Sequence, residues 1–279
     1  MKICTKKYSG DKIIYNILGI KIKKRKSRYN QLMGLLANLQ KDVKQIKTKL
    51  SLENNTVELK DAEIYVPDYP LDGLQANIVE NRCFFEQDIL NDLDKYIDNE
   101  SVILDIGANI GNHTVYWAKK PNVHQIYSFE PVKRTYRKLL KNIEINNLED
   151  KVKPFNIGLS DQTTNASIDR LYTFSTGATV LKKDDNGSFI LKKLDDLVKE
   201  CKIHRIDFIK IDTEGFEKSV LLGASDVLST FSPIVFIEVE KENIDWVKKF
   251  FINNNYILEK EYPSSNYLFI PQRGKRKSK

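Results

Sequence analysis

Val102-Ile103-Leu104-Asp105-Ile106-Gly107-Ala108-Asn109-Ile110-Gly111 reads as a buried strand that runs straight into a glycine turn. A continuous apolar run suits a strand covered on both faces. The two glycines let the backbone turn sharply and approach a ligand closely. Their pattern is Gly-x-x-x-Gly, not the Gly-x-Gly-x-x-Gly of dinucleotide binders, which argues against a pyrophosphate cradle. Outward from this stretch, apolar runs alternate with amphipathic ones. Strands are expected over 101–106, 125–130, 152–157, 208–211, 234–239 and 267–270, and helices over 112–120, 132–146 and 246–254. This alternation predicts an α/β fold, a mostly parallel sheet with right-handed crossovers and flanking helices. Upstream, 56–80 reads as strand and turn material punctuated by Pro67, Pro70 and Gly73. Residues 83–99 read as one helix with Phe84, Phe85, Ile89, Leu93, Tyr96 and Ile97 on a single face.

An open parallel sheet binds its ligand beyond the carboxyl ends of its strands, at the switch point, and four clusters fall there. Asp105, followed by Gly107, Ala108, Asn109 and Gly111, offers an acceptor for an ammonium group. S-adenosylmethionine carries an ammonium and a sulfonium, whereas NAD brings anionic phosphates, so the acid favours the methyl donor. A tight turn without a ligand is the plainer alternative. Glu130 ends the next strand, 19 residues after Gly111, where a carboxylate can accept from both ribose hydroxyls. An acid near a helix start would look the same. Ser160 and Asp161 stand in a turn from which polar groups can reach an adenine edge, or in a plain turn. Asp212, Glu214 and Glu217 close the strand Ile209-Lys210-Ile211, and Glu238 and Glu240 close another. Carboxylates gathered at one mouth repel each other. They suit a divalent cation held by Asp212 and Glu238, or a general base at Asp212 or Glu214; favourable acids at a helix start are the alternative. His113, just past the glycine turn, is a further candidate base or a supporting histidine. Tyr172–Thr179 lies in a long connection of the kind that carries function, and is a candidate acceptor wall.

In this order, Asp105–Gly111, Glu130-Pro131, Gly158–Asp161, Leu194-Asp195-Asp196-Leu197 and Ile209–Glu217 make the stretch from about 100 to 240 resemble the FkbM family of methyltransferases. The Ile-Lys-Ile-Asp-x-Glu-Gly element is the most specific part. The resemblance implies a class I methyltransferase (Rossmann-like) fold and S-adenosylmethionine-dependent O-methylation, often of sugar hydroxyls in surface polysaccharides, glycolipids or natural products. By matching position it implies Asp105, Gly107 and Gly111 beside the methionine moiety, Glu130 beside the ribose and Asp161 beside the adenine. Asp212 falls where some relatives of the fold carry a metal ligand. A nicotinamide-dependent oxidoreductase and a non-catalytic coiled-coil scaffold are the competing expectations.

The domain so read spans 56–272 and leaves two unusual ends. Of the +7 net charge, residues 1–28 contribute +9 and 273–279 contribute +5, which leaves 29–272 at −7. The basic segments suit peripheral contact with an anionic membrane surface, or are solvated tails; nucleic acid is not the expected partner. Residues 1–28 read as a hairpin or an amphipathic surface segment. In 29–55, Leu32, Leu36, Leu39, Val43, Ile46 and Leu50 recur at 4-3-4-3-4 spacing, a heptad seam that predicts a short coiled coil, parallel or antiparallel, to a second copy or a partner enzyme; an amphipathic helix packed on its own domain is the plainer alternative. Three scattered cysteines, no apolar run of membrane-spanning length and no signal-peptide pattern lead to a cytoplasmic expectation, peripheral at the inner membrane face.

Overall fold

The computed structural model describes residues 4–9, 12–17, 20–170 and 179–272, with side chains from residue 30 onward. Residues 172–178 of the candidate acceptor wall and the basic tail 273–279 lie outside the described residues. The chain divides into two units, Met1–Leu52 and Glu53–Lys279. In the first, β1 (Cys4–Ser9), β2 (Lys12–Ile17) and β3 (Ile20–Arg25) form an antiparallel three-stranded sheet. Of the two readings of this basic segment, the hairpin is the one found, extended by a third strand. Helix α1 (Lys26–Ser51) follows and carries the whole heptad seam. Among the described residues no helix is long and apolar enough to cross a membrane.

The second unit opens with the small antiparallel pair β4 (Thr56–Glu58) and β5 (Glu63–Tyr65). Helix α2 (Gly73–Asn81) then appears where only strand and turn are expected. Its start is set by Asp72, whose carboxylate accepts from the Gln75 backbone N–H at 2.9 Å. The helix expected over 83–99 is shorter. Arg82 and Glu86 take left-handed backbone (φ 55° and 59°), and α3 begins only at Gln87, running to Leu93. Between them Asn112 holds both backbone groups of Phe85, accepting from its N–H at 2.9 Å and donating to its C=O at 3.1 Å. Those bonds take the place of helical ones.

The central sheet is built from β6 (Ser101–Ile106), β7 (Val123–Phe129), β8 (Val152–Phe155), β13 (Phe208–Ile211), β14 (Ile234–Glu238), β15 (Tyr256–Tyr262) and β16 (Asn266–Pro271). Their order is β15-β16-β14-β13-β6-β7-β8. All pairings from β14 to β8 are parallel; β16 is inserted antiparallel against β14. Every residue of β6 and β13 is buried, which is why their sequences are almost unbroken apolar runs. The crossovers are α4 (Asn112–Ala118), α5 (Lys133–Ile145), α6 (Leu194–Glu200), α7 (Glu217–Leu222), α8 (Ser225–Phe231) and α9 (Ile244–Asn253). Buried Asp195 joins two of them, accepting from the Asp226 and Val227 N–H groups at the start of α8. A second, four-stranded sheet, β11-β10-β12-β9, sits between β8 and α6, from β9 (Gly158–Leu159), β10 (Thr164–Arg170), β11 (Val180–Lys183) and β12 (Phe189–Lys192). The chain leaves β6 toward β7 and β8, then crosses back to β13 and β14. The switch point therefore lies between β6 and β13.

Candidate active site

A cavity of about 320 Å³ opens at that switch point. One part is apolar, with Phe129, Pro131, Leu159, Leu181 and Leu191; another carries Asp212, Glu214 and Glu238. Leu74 of α2 and Phe85, held by Asn112, complete the wall. Thr179, the one described residue of the candidate acceptor wall, also lines it.

The glycine turn is pinned to both neighbouring strands. Gly107 (φ +79°) lies so close to β13 that a Cβ there would sit 1.7 Å from the Asp212 carbonyl oxygen. Gly107 and Ala108 donate their N–H groups to the Phe129 carbonyl at 3.0 and 2.9 Å, and Gly111 donates to Ala108 at 2.8 Å. Asn109 donates its N–H to the Glu130 carboxylate at 3.1 Å. These donors are consumed inside the protein, so the turn has no row of free N–H groups for a pyrophosphate, which weighs against the oxidoreductase expectation.

Asp105 is fully buried and is not among the residues lining the cavity. Its carboxylate accepts from the Thr114 hydroxyl at 2.5 Å and lies 3.5 Å from the Lys210 ammonium. The ammonium group expected beside Asp105 is thus supplied by the chain itself. Lys210, on β13, also lies 3.3 Å from Asp212 and donates to the Gly107 carbonyl at 2.8 Å. Burial opposes its charge, but the carboxylates of Asp212 and Asp105 win and hold its pKa above the ordinary lysine value. Lys210 therefore ties the glycine turn to the acidic mouth. Sequence reasoning passed over it; the available signal was a single lysine inside a four-residue strand otherwise wholly apolar.

Glu130 lines the cavity and is only 7% exposed. Its carboxylate accepts the backbone N–H groups of Asn109 and Val132. Burial outweighs those two bonds and pushes its pKa up to about 7. At the mouth, Glu214 has left-handed backbone (φ 52°). Although exposed, it is hemmed in: loss of hydration, then the charges of Asp212 and Glu217, push its pKa up to about 7. Burial, and after it Asp212 and Glu86, raise Glu238 as well. Glu217, the first residue of α7, knits the turn by accepting from the Thr213 hydroxyl at 2.9 Å and the Gly215 N–H at 2.9 Å.

Of the residues singled out in the sequence, Gly107, Asn109, Glu130, Asp212, Glu214 and Glu238 meet in this one cavity. Ala108 and Gly111 shape the turn behind it. His113 is buried against Trp117, with Nε2 3.3 Å from Glu86, and does not line the cavity. Ser160 donates to Asp161 at 2.9 Å, and Asp161 pairs with Lys183 beside the cavity rather than within it. For the cation expected on Asp212 and Glu238, no group of three His, Cys, Asp or Glu side chains fit to hold a metal is found among the described residues.

The model of the Methyltransferase FkbM domain matches residues 105–262, more than half of the chain. The chain belongs to the FkbM methyltransferase family. Its sheet is the class I methyltransferase arrangement of five parallel strands closed by an antiparallel hairpin. The hexuronic acid methyltransferase AglP of Haloferax volcanii is 29% identical over 156 residues, covering 55% of this chain and 62% of AglP. Methyltransferase sdnD of Sordaria araneosa is 25% identical over 206 residues, covering 62% and 77% of the two chains. Among solved structures, methyltransferase FkbM from Methylobacillus flagellatus KT aligns with a TM-score of 0.44 at 20% identity, over 62% of this chain and 44% of that one. This family member thus spans less than two thirds of the length of AglP and of the Methylobacillus chain. The match begins at Asp105 and leaves α1 outside it.

Proposed function

We propose that this methyltransferase uses S-adenosylmethionine to methylate a hydroxyl of a sugar in a surface polysaccharide, glycolipid or related glycan. The observation that carries the reading is the cavity itself, which sets buried Glu130 and a surrounding apolar slot beside a mouth of carboxylates. The residues fit the cofactor. Glu130 has carboxylate lone pairs left for two ribose hydroxyls, and the Asn109 side-chain oxygen is buried at the cavity with no partner. Pro131, Leu159 and Leu191 offer apolar surface for a base. When bound, the cofactor supplies an activated methyl group on its sulfonium. The protein's remaining work is to position the acceptor and take its proton. Glu214, whose pKa matches neutral pH, is the base in this reading, with Asp212 and Glu238 orienting the hydroxyl. A divalent cation at Asp212 and Glu238 is the second form of the same reading. The relative named as acting on a hexuronic acid supports a sugar acceptor. Peripheral contact of the basic ends with an anionic membrane would place the enzyme where lipid-linked glycans are accessible.

The test is transfer of label from methyl-labelled S-adenosylmethionine to glycans extracted from the source cells, read by mass spectrometry as the gain of one methyl group, with and without EDTA. Label in an O-methyl sugar supports the reading. Binding of S-adenosylhomocysteine with label only in protein or small amines overturns the acceptor class, and loss of activity in EDTA selects the cation form.

A further inference from the structure

Helix α1 exposes eight large apolar side chains, and six of them form the heptad seam: Leu32, Leu36, Leu39, Val43, Ile46 and Leu50, each 43–82% exposed. A stripe of this regularity, with most other positions polar, has the form of a coiled-coil seam rather than of a face packed on an irregular neighbour. We propose that it is occupied by the α1 helix of a second copy of this chain, parallel and in register. The charges flanking the seam carry the choice of partner and of direction. With Leu32, Leu39 and Ile46 at d and Leu36, Val43 and Leu50 at a, Asp42 falls at g and Lys47 at e, both exposed.

In a parallel pair, g of one chain faces e of the next heptad on the other, so Asp42 meets Lys47 of the second copy, twice by symmetry. In an antiparallel pair with the same a–d layers, g faces g, and Asp42 meets its own copy. The same two residues therefore attract in one arrangement and repel in the other. Leu32 and Leu39 at d with Val43 at a suit a two-stranded coil, whereas Ile46 at d beside Leu50 at a has the opposite preference, and a trimer is the outcome it would give. The seam covers under three heptads, so the pairing is a reversible one. In such a pair the C-terminal ends of the two α1 helices lie at one end of the coil and their N-terminal ends at the other.

Sedimentation equilibrium on the full chain tests this, independently of the catalytic reading. A reversible monomer–dimer equilibrium is expected, and a monomer at every concentration, or a trimer, overturns the proposal. Asp42→Ala removes both attractive pairs of a parallel dimer and weakens association by about fivefold; in an antiparallel dimer it removes a repulsion and tightens association, so unchanged or tighter association overturns the orientation. Asp42→Lys weakens association further, and adding Lys47→Asp restores it. These are surface changes on a formed helix, so circular dichroism confirms that each variant keeps its fold; a double variant no tighter than Asp42→Lys alone overturns the proposal.

Discussion

Replacing Lys210 by Met keeps the length of the side chain and deletes the cation. Lys210 is 3% exposed and stands 3.5 Å from fully buried Asp105 and 3.3 Å from Asp212. Without it, Asp105 keeps a single hydrogen bond, from Thr114, and the Gly107 carbonyl loses its donor. Breaking a buried pair by removing one partner costs about 3–5 kcal/mol, because the other charge is stranded. Asp212 is about one-third exposed and recovers part of its loss through water. The expected cost is therefore roughly 3 kcal/mol, near the lower end of that range. The assay is urea unfolding at pH 8 followed by tryptophan fluorescence, since both tryptophans, Trp117 and Trp246, lie in the catalytic unit. Adding Asp105→Asn removes the stranded charge, so the double variant is expected to recover about half of the loss. A coupling energy below about 0.5 kcal/mol between the two sites would mean that the pair does not hold the turn to β13, and the reasoning would fail.

Four further outcomes follow from the same geometry. Glu130→Gln is expected to weaken S-adenosylhomocysteine binding at least tenfold by calorimetry, about 1.4 kcal/mol, while Glu214→Gln leaves it unchanged; equal losses would contradict the division of the cavity. Because Glu130 keeps its proton up to about pH 7 in the fold, against 4.5 for an ordinary glutamate, its contribution to stability is full below about 4.5 and lost as pH rises through about 7, so the free enzyme should melt lower at pH 8 than at pH 6. A protonated Glu214 cannot accept a proton, so kcat/KM should climb through about pH 7, and Glu214→Gln should flatten that limb and lower turnover by roughly 10²-fold or more; a steep limb surviving in the variant would remove Glu214 as the base. Gly107→Ala forces a Cβ to within 1.7 Å of the Asp212 carbonyl oxygen, and loss of soluble enzyme is expected; a variant that unfolds at the wild-type urea midpoint would refute the packing argument.

Much of the central sheet was legible in the sequence, because strands buried on both faces must be apolar along their whole length. β6, β13 and β14 are of that kind. β15 was not foreseen: it is the outermost strand, four of its seven residues are exposed, and Leu-Glu-Lys-Glu shows no apolar pattern. The strands β10–β12 escaped for the same reason. Helix α2 was hidden by its own packing, since buried Gln75 interrupts its apolar face. In the site, the carboxylates were legible because acids at strand ends are conspicuous. The alignment of Asp105 with Lys210 was not, since the two are distant in sequence and meet only through the β6–β13 register, Asp105 opposite Lys210.

Among the described residues, the four-stranded sheet that supplies Leu181 and Leu191 to the cavity shares no strand pairing with the seven central strands. Its ladder ends at β9, the edge strand paired with β12. Insertions, deletions or wholesale exchange between β9 and β12 can therefore redraw the wall facing an acceptor without breaking one hydrogen bond of the central ladder or shifting Glu130. A lineage carrying this scaffold could change what it methylates by swapping a cassette, and the same segment is the natural place to graft a new specificity in the laboratory.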